Sequence, residues 1–575
     1  MIKYSFYQKN PASHYIYIDL FIDGIQQNEL HLQLPSWRPG RYELGNFAKN
    51  IKRVDAFNQN NEALQYTKLS KDLWCVKTAG ASSVKITYSY YAAELNAGAC
   101  FADITQMYVN PVHCCMYIPD RMNEAHEVEL KIPDNYLIAC SLEKKGNTLR
   151  AENFEELADS PFIASASLKS DYYELNGIRF WIHFNGECRP LWPQFKEHFS
   201  AFTKKQIEFW NDAPFNEYHF LFQILPSKFY HGVEHTKNTV IAIGPGFSLN
   251  TGNTYEDVLG VSCHELFHAW NIKTVRPVEM QPYNYTKENY ARTGYVYEGF
   301  TTYYGDKLLL SSAVFSQEQY LATLQERMQK HFHNYGRYNL SVADSSWDTW
   351  LDGYVPGTPY RKTSIYDEGN LVAFILDVKI LEATANRQSL RDVCVLLYGR
   401  FGKPKKGYSE NDILNLVNEV SGTDFTGFFN SYVNSASDYE TPLVEALNYL
   451  GMELHKEAAH HDFENDFGFK VTDAQPFCRV SLVAPYSPAW KAGLFAGDDI
   501  IAVNNISVKN NFMQWFHYFN GGGAITLTIS SSEQLRAIEL QRDKKGQTWF
   551  FNPVIRFKKE RTKAETAAFE AWIKW

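Results

Sequence analysis

The chain has 575 residues, of which 45% are hydrophobic and 21% charged, and its formal net charge is −9. That length exceeds one compact core and predicts about three domains, and the composition is typical of ordinary globular proteins. The negative charge disfavours a nucleic-acid partner, and the lack of about 18 consecutive apolar residues disfavours a membrane span. We therefore expect neither nucleic acid nor membrane among its partners.

The beginning of the chain and its cysteines indicate a cellular compartment. Residues 1–10 lack the apolar stretch and the small-residue cleavage site of a signal peptide. The nine cysteines are scattered and form no C-x-x-C pair, which is typical of reduced, buried thiols. We expect a cytoplasmic protein, or a periplasmic one if a leader was removed from a longer precursor.

Residues 1–185 predict an N-terminal β-rich domain. Apolar and polar residues alternate in short runs such as 14–22, 83–91 and 179–184, and turn-forming dipeptides such as Asn176-Gly177 separate the runs. Residues 186–455 predict a mixed domain that becomes mainly helical. Its expected strands are 218–225 and 239–243, and its expected helices are 199–211, 255–272, 297–313, 316–332, 366–384, 389–400 and 409–420.

The last part of the chain predicts a further β domain. Residues 457–466 are polar and predict a linker, and 467–545 contain short strands with glycine turns. Residues 546–575 predict a charged, helix-prone C-terminal tail. The expected fold class is therefore multidomain α+β, with a β-rich domain, a mainly helical domain and a smaller β domain in that order.

One segment of the second domain has the pattern H-E-x-x-H, at 264–268. Residues four apart lie on the same face of a helix, so His264 and His268 can direct their imidazole nitrogens at one ion. Glu265 can then reach a water on that ion, and zinc suits such ligands. By itself the pattern is also compatible with a chance match on an amphipathic helix.

A third ligand follows 30 residues later, where Glu298 lies near the start of the next predicted helix. Two histidines and a glutamate are the ligands of His₂Glu zinc peptidases. The alternative is a first-turn glutamate favoured by the helix dipole. With zinc bound, Glu265 would accept the proton of the attacking water, while the ion polarises the scissile carbonyl. These residues predict one zinc ion per chain.

Several segments resemble the glycyl aminopeptidase family of gluzincin metallopeptidases, in which a PDZ domain follows a thermolysin-like catalytic domain. Residues 264–277 resemble the zinc helix and its following loop, 298–301 the helix of the third ligand, and 34–42 (LPSWRPGRY) a motif of the N-terminal β domain. The motifs occur in the expected order along nearly the whole chain. The resemblance implies a thermolysin-like fold for 186–455.

The resemblance adds a second catalytic residue. Residues 366–369 (YDEG) are similar to the Y-E-K-G segment of aminopeptidase N relatives, where the tyrosine supports the oxyanion. Tyr366 would then donate a hydrogen bond to the developing negative charge. Glu368 stands where the relatives have lysine, which changes the local charge. The alternative is a tyrosine of the core or a cap.

The resemblance also adds a substrate-binding segment. Residues 231–235 (HGVEH) are similar to the family's G-G-L-E-H segment, which implies that Glu234 binds the free α-ammonium of the substrate. The backbone around Gly232 could pair with the peptide as an edge strand. His231 replaces the usual first glycine and would reshape the pocket. The alternative is a surface glutamate between two solvated histidines.

The end of the chain resembles a PDZ domain. The similarity rests on residues 467–469 (FGF), 487–489 (SPA), 492–494 (AGL) and 497–504 (GDDIIAVN). PDZ domains add a peptide as an edge strand, so a peptide ligand is a possible partner. The alternative is an intramolecular packing domain whose groove is already filled.

Together these observations predict a zinc-dependent aminopeptidase that removes small N-terminal residues, Gly or Ala, from peptides with a free N-terminus. The preference for small residues comes from the resemblance only. Two alternatives stay open at this point. One is a PDZ-guided zinc endopeptidase that uses the same metal site. The other is a non-enzymatic PDZ adaptor, which the glutamate beside the two histidines disfavours, since a structural metal site needs no base.

Overall fold

The computed structural model describes all residues except 1, 79, 356, 475, 522 and 543–547. Its strands and helices follow the predicted order, so the multidomain α+β architecture is confirmed. The predicted boundary at 545/546 lies outside the described residues. In the described part of the chain, no helix combines the length and apolarity that crossing a membrane requires.

The N-terminal region consists of three sheets. The largest has the strand order β12-β13-β10-β1-β2-β7-β4, and smaller sheets have the orders β11-β14-β9-β8 and β3-β6-β5. Alternate residues of strands such as β10 face the core because successive side chains point to opposite faces. The elements are β1 Ile2–Tyr7, β2 Tyr15–Asp23, β3 Glu29–Gln33, β4 Ile51–Asn58, β5 Tyr66–Lys68, β6 Leu73–Lys77, β7 Ser83–Tyr91, β8 Phe101–Ala102, β9 Gln106–Val109, α1 Pro111–Cys114, β10 His126–Lys131, β11 Leu137–Cys140, β12 Glu143–Lys145, β13 Thr148–Ala151, α2 Phe154–Ala158 and β14 Phe162–Ser165.

The middle region begins with a five-stranded mixed sheet of order β15-β16-β17-β19-β18, in which β18 is an edge strand. Helices cover one face of this sheet with a large aromatic core. The elements are β15 Lys169–Leu175, β16 Ile178–Asn185, α3 Trp192–Trp210, β17 Glu217–Ile224, β18 Phe229–Glu234, β19 Asn238–Gly244, α4 Gly252–Phe267, α5 Thr301–Ser311, α6 Gln317–His333, α7 Val342–Trp347, α8 Thr349–Asp352, α9 Asp367–Ala383, α10 Leu390–Leu397, α11 Glu410–Ser421, α12 Thr426–Phe428 and α13 Glu440–Tyr449.

The middle sheet begins earlier in the chain than the predicted domain boundary at 185/186. Residues 169–185 were assigned to the N-terminal domain by their strand pattern, whereas β15 and β16 pair within the middle sheet, where β16 runs parallel to β17. Alternation of apolar residues identifies a strand but carries no information about which sheet the strand joins. The described N-terminal sheets therefore end with β14, and the following strands already support the candidate site.

The C-terminal region is an insertion between two paired strands. β20 Met452–Ala458 and β27 Phe551–Phe557 are antiparallel neighbours, and a five-strand path of order β21-β22-β23-β25-β26 lies between them in the sequence. Part of the predicted linker is therefore strand. The remaining elements are β21 Phe469–Ala474, β22 Phe477–Val483, α14 Pro488–Lys491, β23 Asp499–Val503, β24 Ile506–Ser507, α15 Phe512–Phe519, β25 Ile525–Ser531, β26 Gln534–Leu540 and α16 Lys563–Trp572.

The interior between β21 and α15 is filled by aromatic side chains. Phe463 precedes the strand and lies 5.2 Å from Phe469, 5.3 Å from Phe512 and 5.5 Å from Phe516, measured between ring centroids. Phe463 is almost completely buried. A segment of the chain itself therefore packs between the edge strand and the helix of this β domain.

The C-terminal segment, predicted as a charged tail, is part of the middle region's core. Trp572 of α16 is 1% exposed, and its indole N–H donates to the hydroxyl of Tyr303 at 2.8 Å. Tyr303 in turn donates to Asp377, which also pairs with the buried Lys307. Phe569 and Trp572 of α16 are buried, whereas its charged residues Lys563 and Glu570 are exposed. The predicted tail therefore has an apolar side in addition to its charges.

Candidate metal and substrate site

The two histidines of the H-E-x-x-H pattern converge at the end of α4. His264 lies on its last turn and His268 is the residue that ends it, and their Nε2 atoms are 3.0 Å apart. Helix α5 approaches this turn closely because Gly305 has no side chain. A Cβ there would lie 3.0 Å from the Cα of His264. The backbone N–H groups of the following loop are satisfied locally, which fixes the turn.

Glu298 reaches the same point from a second element. It lies in a π-helical turn, Tyr295–Phe300, which leads into α5. Its Oε2 is 3.3 Å from Nε2 of His268 and 3.8 Å from Nε2 of His264. One ligand atom from each of the three residues therefore lies within 4.8 Å of the others. The structure brings all three predicted metal ligands together.

The groups that hold these ligands come from the N-terminal and the middle regions. The Nδ1–H of His268 donates to the carbonyl of Asn271 at 2.9 Å, which directs the Nε2 lone pair toward the metal position. The hydroxyl of Tyr42 donates to Oε1 of Glu298 at 3.0 Å, leaving Oε2 to face the histidines. Tyr42 belongs to the motif 34–42, which sequence reasoning had used only to recognise the N-terminal domain.

Glu265 faces the same cleft and is 6% exposed. Its carboxylate packs against Gly232 of β18, where a Cβ would collide with Oε1. Burial raises the pKa of Glu265 well above its usual range. His268 opposes this rise and Glu234 adds to it. A carboxylate with a raised pKa can accept and release a proton near neutral pH.

Glu234 ends β18 and is 4% exposed, so the structure does not support a surface position for it. Gly40 of the N-terminal region lies against its carboxylate, and a side chain at Gly40 would occupy the same space. Gly40 has a φ of +81°, which glycine adopts without strain. The Glu234 carboxylate is therefore held at the wall of the cleft by a turn from the other domain.

Tyr366 caps α9 and also lines the cleft, beside Glu298. Its hydroxyl lies 3.5 Å from that of Tyr354, which accepts a hydrogen bond from the backbone N–H of Tyr42. Burial raises the pKa of Tyr366 well above its usual range, and the nearby charge of Glu298 raises it further. The phenol therefore stays neutral. Gly299 and Gly369 touch and let the Glu298 turn and α9 approach.

The glutamate that departs from the lysine of related sequences points away from the cleft. Glu368 is buried and lies 2.7 Å from Nδ1 of His331 on α6. The other ring nitrogen of His331 accepts the backbone N–H of Tyr439 at 3.1 Å. The Nδ1–H of His331 therefore donates to the carboxylate of Glu368. Glu368 therefore links α6 to α9 through His331.

The donor set fits a divalent cation. Glu234 and Glu265 each have one buried carboxylate oxygen without a hydrogen-bond partner in the described part of the chain. Burial opposes protonation of His268, yet Glu298 raises its pKa to about 10, which indicates how strongly this point stabilises positive charge. Two imidazole nitrogens and a carboxylate oxygen are ligands that zinc prefers. All these groups line one cavity of about 670 Å³.

Comparisons with known proteins agree with this site. Family models match residues 3–166 (Peptidase M61 N-terminal domain), 257–372 (M61 glycyl aminopeptidase) and 479–523 (PDZ domain). No curated protein matches the chain. A solved aminopeptidase N family protein from Idiomarina loihiensis is 24% identical, covers 100% of both chains and superposes with a TM-score of 0.91, which shows the fold.

A second solved structure, an M1 zinc metallopeptidase from Deinococcus radiodurans, is 12% identical. The alignment covers 77% of this chain and 95% of that one, with a TM-score of 0.47. The family matches and the three converging ligands define a zinc aminopeptidase. The chain resembles the M61 glycyl aminopeptidases over 3–166 and 257–372, and a PDZ domain match follows the catalytic region.

Proposed function

We propose that the protein hydrolyses the peptide bond after a small N-terminal residue, Gly or Ala, with one zinc ion held by His264, His268 and Glu298. The observation that carries this proposal is the position of Glu234, whose buried carboxylate lines the same cavity as the three ligands. A free α-ammonium would provide the missing partner of this carboxylate. An exopeptidase needs such an anchor beside its metal.

One zinc per chain is supported by the other groups of potential ligands in the described residues. One group, Glu234, Glu265 and His268, shares a ligand with the proposed site. A further group contains Glu29, which is ion-paired with Lys77 at the surface. Among the groups of the described residues, the one formed by His264, His268 and Glu298 is the group that matches the two-histidine, one-glutamate ligand set of zinc peptidases.

Each side chain of the cleft has a separate role in the proposed reaction. When bound, zinc supplies Lewis-acid polarisation of the scissile carbonyl and favours deprotonation of water. Glu265 accepts a proton from the attacking water and returns it to the leaving amine, a task that its raised pKa suits. The neutral hydroxyl of Tyr366 donates to the oxygen that becomes negative as water adds to the carbonyl.

Strand β18 positions the substrate. It has only one strand neighbour, so its free edge can pair with an extended peptide along Gly232. With the ammonium at Glu234, the first peptide bond would lie near Glu265, because Gly232 contacts that carboxylate. The family name and the crowded surroundings of Glu234 support a preference for a small first residue.

The decisive test compares Glu265→Gln with the wild type. The variant should bind zinc as before, because Glu265 is not a ligand, and should lose about 100- to 10,000-fold in kcat, the usual contribution of a general base. Metal content and turnover of Ala and Gly reporter substrates are measured on the same samples. Turnover equal to that of the wild type would exclude the proposed base.

Glu234→Gln tests the exopeptidase part of the proposal. Loss of a buried charge partner costs about 2–5 kcal/mol, which corresponds to roughly 30- to several-thousand-fold in kcat/KM. N-acetylated peptides lack the ammonium and should resist the wild-type enzyme. Efficient cleavage of acetylated peptides, or of an internal bond in them, would favour the PDZ-guided endopeptidase instead.

A further inference from the structure

A second cavity, with a volume of about 380 Å³, lies beside the zinc cleft and has the opposite charge. His231 lines both cavities, so they share a wall. The metal cleft is lined by seven carboxylate residues, among them the three glutamates described above, against Arg327 and Lys330. The second cavity is lined by Arg38, Arg41, Lys49 and two histidines. Its carboxylates are Glu43, which is already paired with Arg41, and Glu94.

Arg38 is the feature of this cavity that points to a ligand. It is 5% exposed, and no carboxylate of the described residues lies within ion-pair distance of it, although Glu234 interacts with it over a longer distance. Its one side-chain hydrogen bond goes from Nη1 to the carbonyl of Pro39, at 3.2 Å. Gly98 makes room for the guanidinium, since a Cβ at Gly98 would occupy the position of Nη2. A buried arginine with free donors is a built site for a carboxylate, which it can hold with two parallel hydrogen bonds.

A second buried group lines the same cavity without a partner. Nε2 of His113 is buried and makes no hydrogen bond in the described part of the chain. The ring of His113 stacks on Phe47 with 3.8 Å between centroids, which fixes its orientation. Arg38 therefore has unused donors in this cavity, and His113 adds a buried ring nitrogen without a hydrogen bond in the described residues.

The direction of β18 connects this cavity to the substrate. Along a strand each residue advances by about 3.3 Å, so His231 lies roughly 10 Å from Glu234. A peptide whose ammonium is at Glu234 and which pairs antiparallel with β18 passes Gly232 and arrives at His231 with its second or third residue. The acidic cleft and the basic cavity are therefore arranged in the order of the charges of a short zwitterionic peptide.

We propose that the Arg38 cavity binds a carboxylate of the substrate, either the C-terminal carboxylate of a di- or tripeptide or an acidic side chain at its second residue. This inference rests on the proposed aminopeptidase function and specifies the substrate class for it. Specificity arises because a substrate without the carboxylate leaves the buried guanidinium unpaired.

The test uses matched substrates on the full-length zinc enzyme. Ala-Ala is compared with Ala-Ala-amide, and Ala-Ala-Ala with its amide, for the C-terminal source. Ala-Asp-amide is compared with Ala-Asn-amide for the side-chain source. We expect kcat/KM to be at least about 10-fold higher for the acid in at least one pair, since one charged hydrogen-bonded partner contributes that much or more.

Variants assign the preference to the cavity. In Arg38→Gln the ratio of kcat/KM between acid and amide should fall to near one, and Arg38→Lys should restore part of it. Arg53→Gln is the matched control, because Arg53 is an exposed arginine of β4 outside both cavities, and it should keep the wild-type ratio. If Arg38 only supported Glu234, Arg38→Gln would lower both rates by the same factor and leave the ratio unchanged.

The outcomes separate this inference from the function on which it rests. Wild-type enzyme that hydrolyses acids and amides with equal kcat/KM would overturn the carboxylate site and leave the aminopeptidase standing. No hydrolysis of any of these substrates would overturn both. The ratios of kcat/KM measured on the wild type can refute the inference by themselves. The test therefore remains valid even if a variant fails to fold.

Discussion

The contact between Tyr42 and Glu298 gives a prediction about zinc affinity. Tyr42→Phe removes one hydroxyl from a buried position and leaves the ring, which packs against Tyr297 and Trp350. The hydroxyl donates to Oε1 of Glu298 at 3.0 Å. A hydrogen bond to a charged group contributes about 1.5–3 kcal/mol, so zinc should bind roughly 10- to 150-fold more weakly. Loss of an outer-shell partner of a metal ligand commonly has an effect of this size.

The assay is competition between the protein and a chromophoric chelator at constant pH. A second readout separates metal binding from catalysis. At limiting zinc the variant should lose activity, and excess zinc should restore kcat to within about threefold, because the hydroxyl orients a ligand and does not touch the reacting atoms. Loss of kcat that persists at saturating zinc would assign Tyr42 a different role.

Tyr297→Phe is the matched control for this experiment. Its hydroxyl is equally buried and adjacent in sequence to Glu298, but it has no hydrogen-bond partner in the described residues. Removing it should leave zinc affinity unchanged, since no bond to the ligand is lost. Tyr42→Phe with wild-type zinc affinity, or an equal loss in both variants, would refute the positioning role.

Three further changes test other parts of the structure. Burial opposes the ionisation of Asp159, but Lys273 and His235 together outweigh burial and lower the carboxyl pKa. The stabilisation is therefore present above about pH 4 and is lost as the pH falls. Asp159→Asn should therefore cost about 3–5 kcal/mol at neutral pH and flatten the acid side of the stability profile measured by urea unfolding, whereas parallel profiles would contradict the linkage. Trp572→Ala should lower the unfolding free energy by about 3–5 kcal/mol, and an unchanged melting temperature would show that α16 is not part of the core. Gly232→Ala places a methyl group against Glu265 and should lower kcat/KM while zinc content stays constant. Unaltered turnover would show that the cleft tolerates the group.

The parts of the site that the sequence predicted are those determined by local spacing. His264 and His268 are one helical turn apart, so any helix through them brings their imidazoles together. Glu298 could be selected because it lies near the start of the next helix. Tyr366 and Glu234 had no such local signal and were assigned through resemblance to a family. The structure places all five in one cavity, and their roles stay predictions until the variants are measured.

The residues that sequence reasoning missed act over long separations in the chain. Tyr42 lies 256 residues from the carboxylate that it contacts, and Trp572 lies 269 residues from Tyr303. Periodicity reports which face of an element is apolar but not which partner covers it. The same limit explains why β15 and β16 were assigned to the wrong side of the domain boundary, and why the aromatic face of α16 was missed beneath its charges.

The N-terminal domain contributes residues to the proposed catalytic site of the middle region. Its segment 34–42 supplies the hydroxyl on Glu298, the glycine against Glu234 and the buried guanidinium beside the cleft. These three groups belong to the surroundings of the proposed metal ligand, the proposed amine anchor and the proposed carboxylate site. Because one short segment supports all three, a small shift between the domains would alter metal affinity and substrate selection together. The catalytic region without its β-rich domain should therefore lose zinc affinity and acid selectivity at once, even where its helices stay folded.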